Sequence, residues 1–161
     1  MSAPEWQGLA PTARLLFHAR AILRLMFLWT PLIFLATALL ATEIGLLYAT
    51  IAGSSLWLIR FVVSLWWPSL AFDRWAWVVG ERAFEVQEGV ILHSRTAIPL
   101  GRVQYVDLRQ GLLDQWLDLA TVRVHTASGN GADVVLPGLQ LADAEALRDR
   151  LLATAEGDDG V

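Results

Sequence analysis

The sequence predicts a membrane protein of the α+β class: an N-terminal two-helix transmembrane hairpin followed by an antiparallel β-barrel or sandwich capped by a C-terminal helix. Three observations lead there. The composition is 55% hydrophobic over 161 residues, with a mean hydropathy of +0.47, above the range of ordinary soluble domains. Two apolar runs, 25–41 and 44–59, carry no formal charge and are separated by a short polar break. From residue 74 the apolar period shortens to two-residue alternation, and the chain closes with one amphipathic helical stretch.

Taken in order, residues 1–13 contain Pro4, Gly8 and Pro11 and no period, so a loose arm is expected. Residues 1–20 as a whole are assigned to an N-terminal cytoplasmic arm. Between Arg14 and Arg24 three arginines alternate with Leu15, Leu16, Phe17, Ile22 and Leu23, which suits a helix entering a headgroup region. The first span is placed at about 21–41, with Arg24 snorkelling and Pro31 kinking the helix. Ala41-Thr42-Glu43 is the predicted connection, and the second span covers about 44–60, interfacial to 67. The hairpin as a whole is therefore 21–67. Arg60 lies seventeen residues beyond Glu43, about 26 Å at helical rise. Arg24 lies nineteen residues before it, so both arginines return to one boundary of a core about 30 Å thick. Arg60 is read as a snorkelling anchor rather than an intramembrane ion site.

Arginine bias sets the orientation. Arg14, Arg20, Arg24, Arg60, Arg74 and Arg82 share one side and Glu43 has the other, which places both termini in the cytoplasm of a multi-pass protein of the cell membrane. The rival is a cleaved signal peptide ending at Ala36-Thr37-Ala38, but the apolar run continues past that point and a second one follows. Trp66, Trp67, Trp75 and Trp77 are expected as an interfacial belt rather than a cage for a cation. Pro68 is expected to end the second helix.

Residues 74–155 read as the β domain. Trp75–Val79 and Arg82–Gln87 are strands, and Glu88-Gly89 is a tight-turn signal. Residues 90–100 continue as one bent or two short strands, with Pro99 at an edge or bulge. Arg102–Gln110 alternates, with Val103, Tyr105 and Asp107 on one face and Gln104, Val106 and Leu108 on the other. Leu112, Leu113, Trp116, Leu117 and Leu119 fit a helical turn packing its apolar face, with Asp114 and Asp118 outward. Thr121–Thr126 is a strand, Ser128–Gly131 a hairpin loop, and Ala132–Leu136 a last strand stopped by Pro137-Gly138. The closing helix, about 141–155, aligns Leu141, Ala144, Leu147 and Leu151, with acids early and arginines late as the helix dipole prefers. Residues 156–161 are an acidic tail.

Several short motifs then resemble a known family. Glu88-Gly89-Val90, Ile98-Pro99-Leu100, Arg102-Val103-Gln104, Leu119-Ala120-Thr121-Val122, His125-Thr126-Ala127 and Pro137-Gly138-Leu139 are similar to the bacterial pleckstrin-homology-like (YdbS-like) domain, over about 14–152. The resemblance implies a pleckstrin-homology-like barrel or sandwich held at a membrane, without established catalysis. It also implies work with other membrane proteins, often a larger relative carrying several copies of the domain. One departure is visible. Gln115-Trp116-Leu117-Asp118 stands where the family often reads arginine-leucine-leucine-glycine, so no role of that arginine or glycine transfers.

Chemistry has little to stand on. Cysteine is absent, and His18, His93 and His125 have no partner at metal-ligand spacing. No nucleophile elbow occurs, and Ser128-Gly129-Asn130-Gly131 lacks the lysine of a phosphate cradle. No catalytic residue, cofactor or metal is expected. Residues 1–72 carry four arginines against two acids, while residues 73–161 carry eight against fourteen. An acidic β domain argues against nucleic acid and against a broad grip on anionic headgroups. Arg95, Arg102, Gln104, Arg109 and Arg123 form the candidate interaction face, with solvated arginines paired to Asp107, Asp114 or Asp118 as the alternative. The expected role is a non-catalytic interaction or scaffold protein whose partners are the bilayer and other membrane proteins. An anionic lipid-headgroup sensor and an accessory transporter subunit are the competing readings.

Overall fold

The computed structural model describes residues 5–126 and 134–158. It divides into two compact units, Phe17–Leu70 and a discontinuous one made of Met1–Leu16 and Ala71–Val161.

The helical unit holds most of two long stretches. Helix α1 (Ala13–Arg24) runs through a π turn at Leu25–Trp29 into α2 (Thr30–Ile44), and α3 (Leu46–Asp73) returns. The π turn sits just before Pro31, where the missing N–H releases a carbonyl of the preceding turn. The Thr30 hydroxyl donates to the Leu25 carbonyl at 2.9 Å within that widened turn. The connection is shorter than the sequence implied. Glu43 still belongs to α2, and Gly45 alone reverses the chain with φ 86°, a conformation open to glycine. A second difference concerns Pro68, which lies inside α3 instead of ending it. One lost ladder bond is tolerated because the residues on either side keep the helical period.

The two stretches meet at a few points, through small and polar groups. A Cβ on Gly53 would collide with the Thr37 hydroxyl, so the backbones approach closely there. Trp57 donates its indole N–H to Thr30 Oγ1 at 3.1 Å, and Ser69 Oγ lies 3.3 Å from His18 Nε2. Only 11% and 6% of the most apolar segments of the two stretches are buried, unlike the mostly buried core helices of a soluble protein. Both helices are long and apolar enough to cross a membrane.

The β unit contains two three-stranded antiparallel sheets. The first is β1 (Ala76–Val79), β2 (Ala83–Glu88) and β3 (Ser94–Pro99). The second is β4 (Val103–Arg109), β5 (Leu119–Thr126) and β6 (Val134–Gln140). A 3-10 turn at Leu100–Arg102 joins the two sheets, and no strand pairing closes them into a barrel among the described residues. Helix α5 (Leu141–Asp158) buries Ala144, Leu147 and Leu151, the predicted stripe, against the second sheet. Phe84, Leu119, Val122, Val124 and Leu136 are fully buried at the centre, each side chain contributing about 1.5–3 kcal/mol.

Two bulges correct the strand assignments. Val103 pairs with Thr126 but Tyr105 with His125, so Gln104 is an extra residue and the alternation of β4 reverses after it. Val103, Val106 and Leu108 then share the face of Val122 and Val124, whereas Tyr105 and Asp107 point the other way. In β6, Ala120 faces Leu139 and Val122 faces Leu136, which leaves one extra residue at Pro137-Gly138. These residues were expected to stop the strand; instead the bulge absorbs the proline, and Gly138 supplies φ 69°. The turn after β2 is also longer than predicted, a five-residue loop 89–93 in which Arg74 reaches His93 at 3.1 Å. The hairpin loop predicted at Ser128–Gly131 lies outside the described residues.

The expected loose arm is instead part of this unit. Gln7 and Trp77 exchange both backbone hydrogen bonds at 2.8 and 2.9 Å, and the Ala10 N–H donates to the Gly138 carbonyl at 3.0 Å. Leu9, Ala10 and Ala13 are buried. Trp77 therefore leaves the predicted interfacial belt for the core, packs on Phe84 with ring centroids 6.4 Å apart, and donates its indole N–H to the Gly8 carbonyl. A Cβ on Gly138 would come within 2.6 Å of the Ala13 Cβ. Gly138→Ala is therefore expected to cost the full-length protein about 1–3 kcal/mol in denaturant unfolding. In an Ala13→Gly background the same change should cost measurably less, because only the backbone strain remains.

Candidate interaction face

The bulge at Gln104 determines which side chains of the second sheet point away from the core. Tyr105 stacks on His125 across the β4–β5 pair, with ring centroids 4.1 Å apart and planes 10° from parallel. Asp107 lies opposite Arg123, which in turn lies opposite Val135 on β6. The Asp107 carboxylate accepts from Arg109 Nε at 2.7 Å. That hydrogen bond, with the attraction of the Asp107 charge second, holds the Arg109 guanidinium above its ordinary pKa. Arg123 keeps its Nε buried without a hydrogen-bond partner, a donor that costs free energy until something accepts from it.

Of the five predicted residues, Gln104, Arg109 and Arg123 thus belong to β4 and β5 of one sheet. Arg102 sits in the 3-10 turn and lines a depression of about 760 Å³ with Arg82, Glu81 and Gly101. Arg95 is on β3 of the other sheet, where Glu85 Oε2 accepts from both its Nε at 2.9 Å and a terminal nitrogen at 2.6 Å. Its guanidinium also lies 4.9 Å from the Trp6 ring centroid. Arg95 is committed to intramolecular partners.

The turn after β4 reverses the sequence expectation. Helix α4 (Leu112–Trp116) buries Asp114, 3% exposed, and displays Leu112 and Trp116, which are 87% and 89% exposed. The cause is local. Asp114 stands at the third helical position, and its carboxylate accepts the Gly111 N–H at 2.8 Å. Satisfying that orphan donor turns the carboxylate inward and rolls the apolar pair outward. The signal was present as an acid three residues after Gly111, but the apolar period concealed it. Asp118, where the resembling family often has glycine, has φ 53°, and aspartate is among the few side chains that accept it.

Among the described residues, no group of three or more His, Cys, Asp or Glu side chains is placed to hold a metal ion. The β4–β5 pair carries an aromatic stack at its open end, a half-buried guanidinium at its middle and an exposed Trp and Leu at its connection.

Comparison with known proteins adds two findings. The family model described as Bacterial PH domain matches residues 21–155. The transmembrane protein YdbS of Bacillus subtilis (strain 168) is 32% identical over 108 residues, an alignment covering 65% of this chain and 66% of that relative. The chain therefore spans just under two thirds of the relative's length. No solved structure matches the chain significantly.

Opposite roles for neighbouring side chains give a sharp expectation. Asp114→Ala should lower the unfolding free energy of the full-length protein by about 1–2 kcal/mol, the cost of losing a cap. Trp116→Ala should leave it within about 0.5 kcal/mol, as for an exposed surface position.

Proposed function

The chain belongs to the bacterial PH domain family, and on that premise we propose that it is a membrane-anchored, non-catalytic interaction module working at the cytoplasmic face. The observation that carries this reading is the exposure of Trp116 and Leu112 on a capped turn beside Arg109. Tryptophan and arginine dominate the energetic centres of protein interfaces, and large apolar side chains left in water mark such sites. Pleckstrin-homology-like families are generally non-catalytic, which favours binding over chemistry. The partner is another membrane protein, and a larger relative with several copies of the domain fits it.

The hairpin at 21–67 is the anchor and the domain at 74–155 the recognition part. Arginine bias supports a cytoplasmic β unit. The composition of that unit gives independent support for an even number of crossings, since it includes residues from both before and after the two long helices. The competing headgroup-sensor reading leaned on Arg95 and Arg102; Arg95 is already held by Glu85, which weakens it. A transporter subunit would depend on Glu43, in the last turn of α2.

Two measurements test the proposal. A photocrosslinker at Leu112 in the full-length protein should capture a membrane protein in cells, and the Arg109→Ala/Trp116→Ala variant should lose the adduct while unfolding as wild type does. An unchanged adduct rejects the face. A reporter active only outside the cytoplasm should be silent after Val161 and active at Glu43; the reverse pattern rejects the topology.

A further inference from the structure

Within the helical unit, a cavity of about 330 Å³ opens between the two long stretches and is lined by Arg24, Trp29, Arg60, Ser64 and Trp67, with small apolar residues completing the wall. Two arginines line it and no acidic residue does. The Arg60 guanidinium lies over Trp29, 3.9 Å from the ring centroid, and its Nε is buried with no hydrogen-bond partner. The Ser64 hydroxyl donates to the Arg60 carbonyl at 2.8 Å, and its oxygen does not accept from that Nε. An arginine that merely snorkelled would carry all its N–H groups into water.

The depth of the cavity narrows the ligand. Arg60 lies fourteen residues beyond Leu46, the first residue of α3, about 21 Å at helical rise, which sets it in the outer third of a hydrocarbon core about 30 Å thick. Two like charges at such a depth repel each other in a poorly screened medium, and an anion between them removes the repulsion. The planar guanidinium fork matches phosphate oxygens, and Trp67 is half exposed where an indole meets a headgroup. A choline headgroup is disfavoured, since Arg60 already occupies the Trp29 face that would attract a quaternary cation.

We propose that this cavity binds the phosphate of an anionic phospholipid, with Arg24 and Arg60 as its donors. The inference rests on the hairpin spanning the bilayer, and goes beyond it by giving the anchor a selective lipid site. Full-length protein reconstituted in equal parts of phosphatidylglycerol and phosphatidylcholine, then released into detergent, should retain phosphatidylglycerol preferentially in native mass spectrometry. Arg24→Gln, at an exposed position, should reduce that preference about fivefold, and Arg60→Lys, which keeps the charge but not the fork, should reduce it too. Equal retention of both lipids by the wild type, or an undiminished preference in both variants, overturns the site. Inorganic phosphate displacing the retained lipid would overturn the lipid as its ligand. Extraction of the protein from membranes by alkaline carbonate would instead reject the spanning premise, before any lipid is counted.

Discussion

The apolar surface of the two long helical stretches has almost no protein to cover it, and the rest of the molecule is arranged around that fact. Such a surface is stable only in a medium that does not compete for backbone hydrogen bonds and does not penalise exposed leucine and phenylalanine. Several polar side chains within the stretches are correspondingly tied off. Thr37, Thr42, Thr50 and Ser64 donate to the carbonyl three or four residues back, and Thr30 also accepts from Trp57. Where a proline removes a ladder bond, a π turn or a neighbouring hydroxyl restores order locally. Arg60 differs from these: its Nε is buried without a hydrogen-bond partner.

The β unit solves a different problem. Its two small sheets bury a modest core, and each bulge or turn that shapes it has a side chain suited to the local backbone. Gly138 and Asp118 take positive φ, Pro137 sits where no ladder donor is needed, and Asp114 caps the turn after β4. Display of Trp116 and Leu112 is a by-product of that cap. The exposed apolar pair on this unit is therefore a product of backbone satisfaction.

The large features were legible because they depend on long periodic runs. Seventeen uncharged residues from Leu25 and the stripe Ala144, Leu147 and Leu151 are signals that a single residue cannot erase. What escaped were one-residue events. The extra residue at Gln104 inverts which side of β4 carries Tyr105, and a period of two contains no warning of it. Gly45 alone makes the reversal assigned to three residues around Glu43. Pro68 persists in a helix because its surroundings outweigh one missing bond. For α4, apolar spacing and capping made opposite claims on Asp114, and the hydrogen bond won. The arm failed for another reason: residues 5–12 have no period of their own, because their order comes from Trp77 and Gly138, distant in sequence.

That arm makes the β unit a domain with an insertion in it. The chain contributes its first portion, leaves at Leu16 for the helices, and completes the domain only after Ala71. Closing such a loop with a disordered insert of this length would cost about 3.5 kcal/mol of chain entropy beyond a constant. A preformed hairpin removes that cost by delivering its two ends together. Folding of the β unit then depends on the helical segment: a fragment starting at residue 71 lacks the backbone partner of Trp77 and the cover of Gly138. Completion of the β unit is thereby tied to the helical segment: a chain whose helices do not bring its two flanks together leaves Trp77 and Gly138 without their partners in the arm.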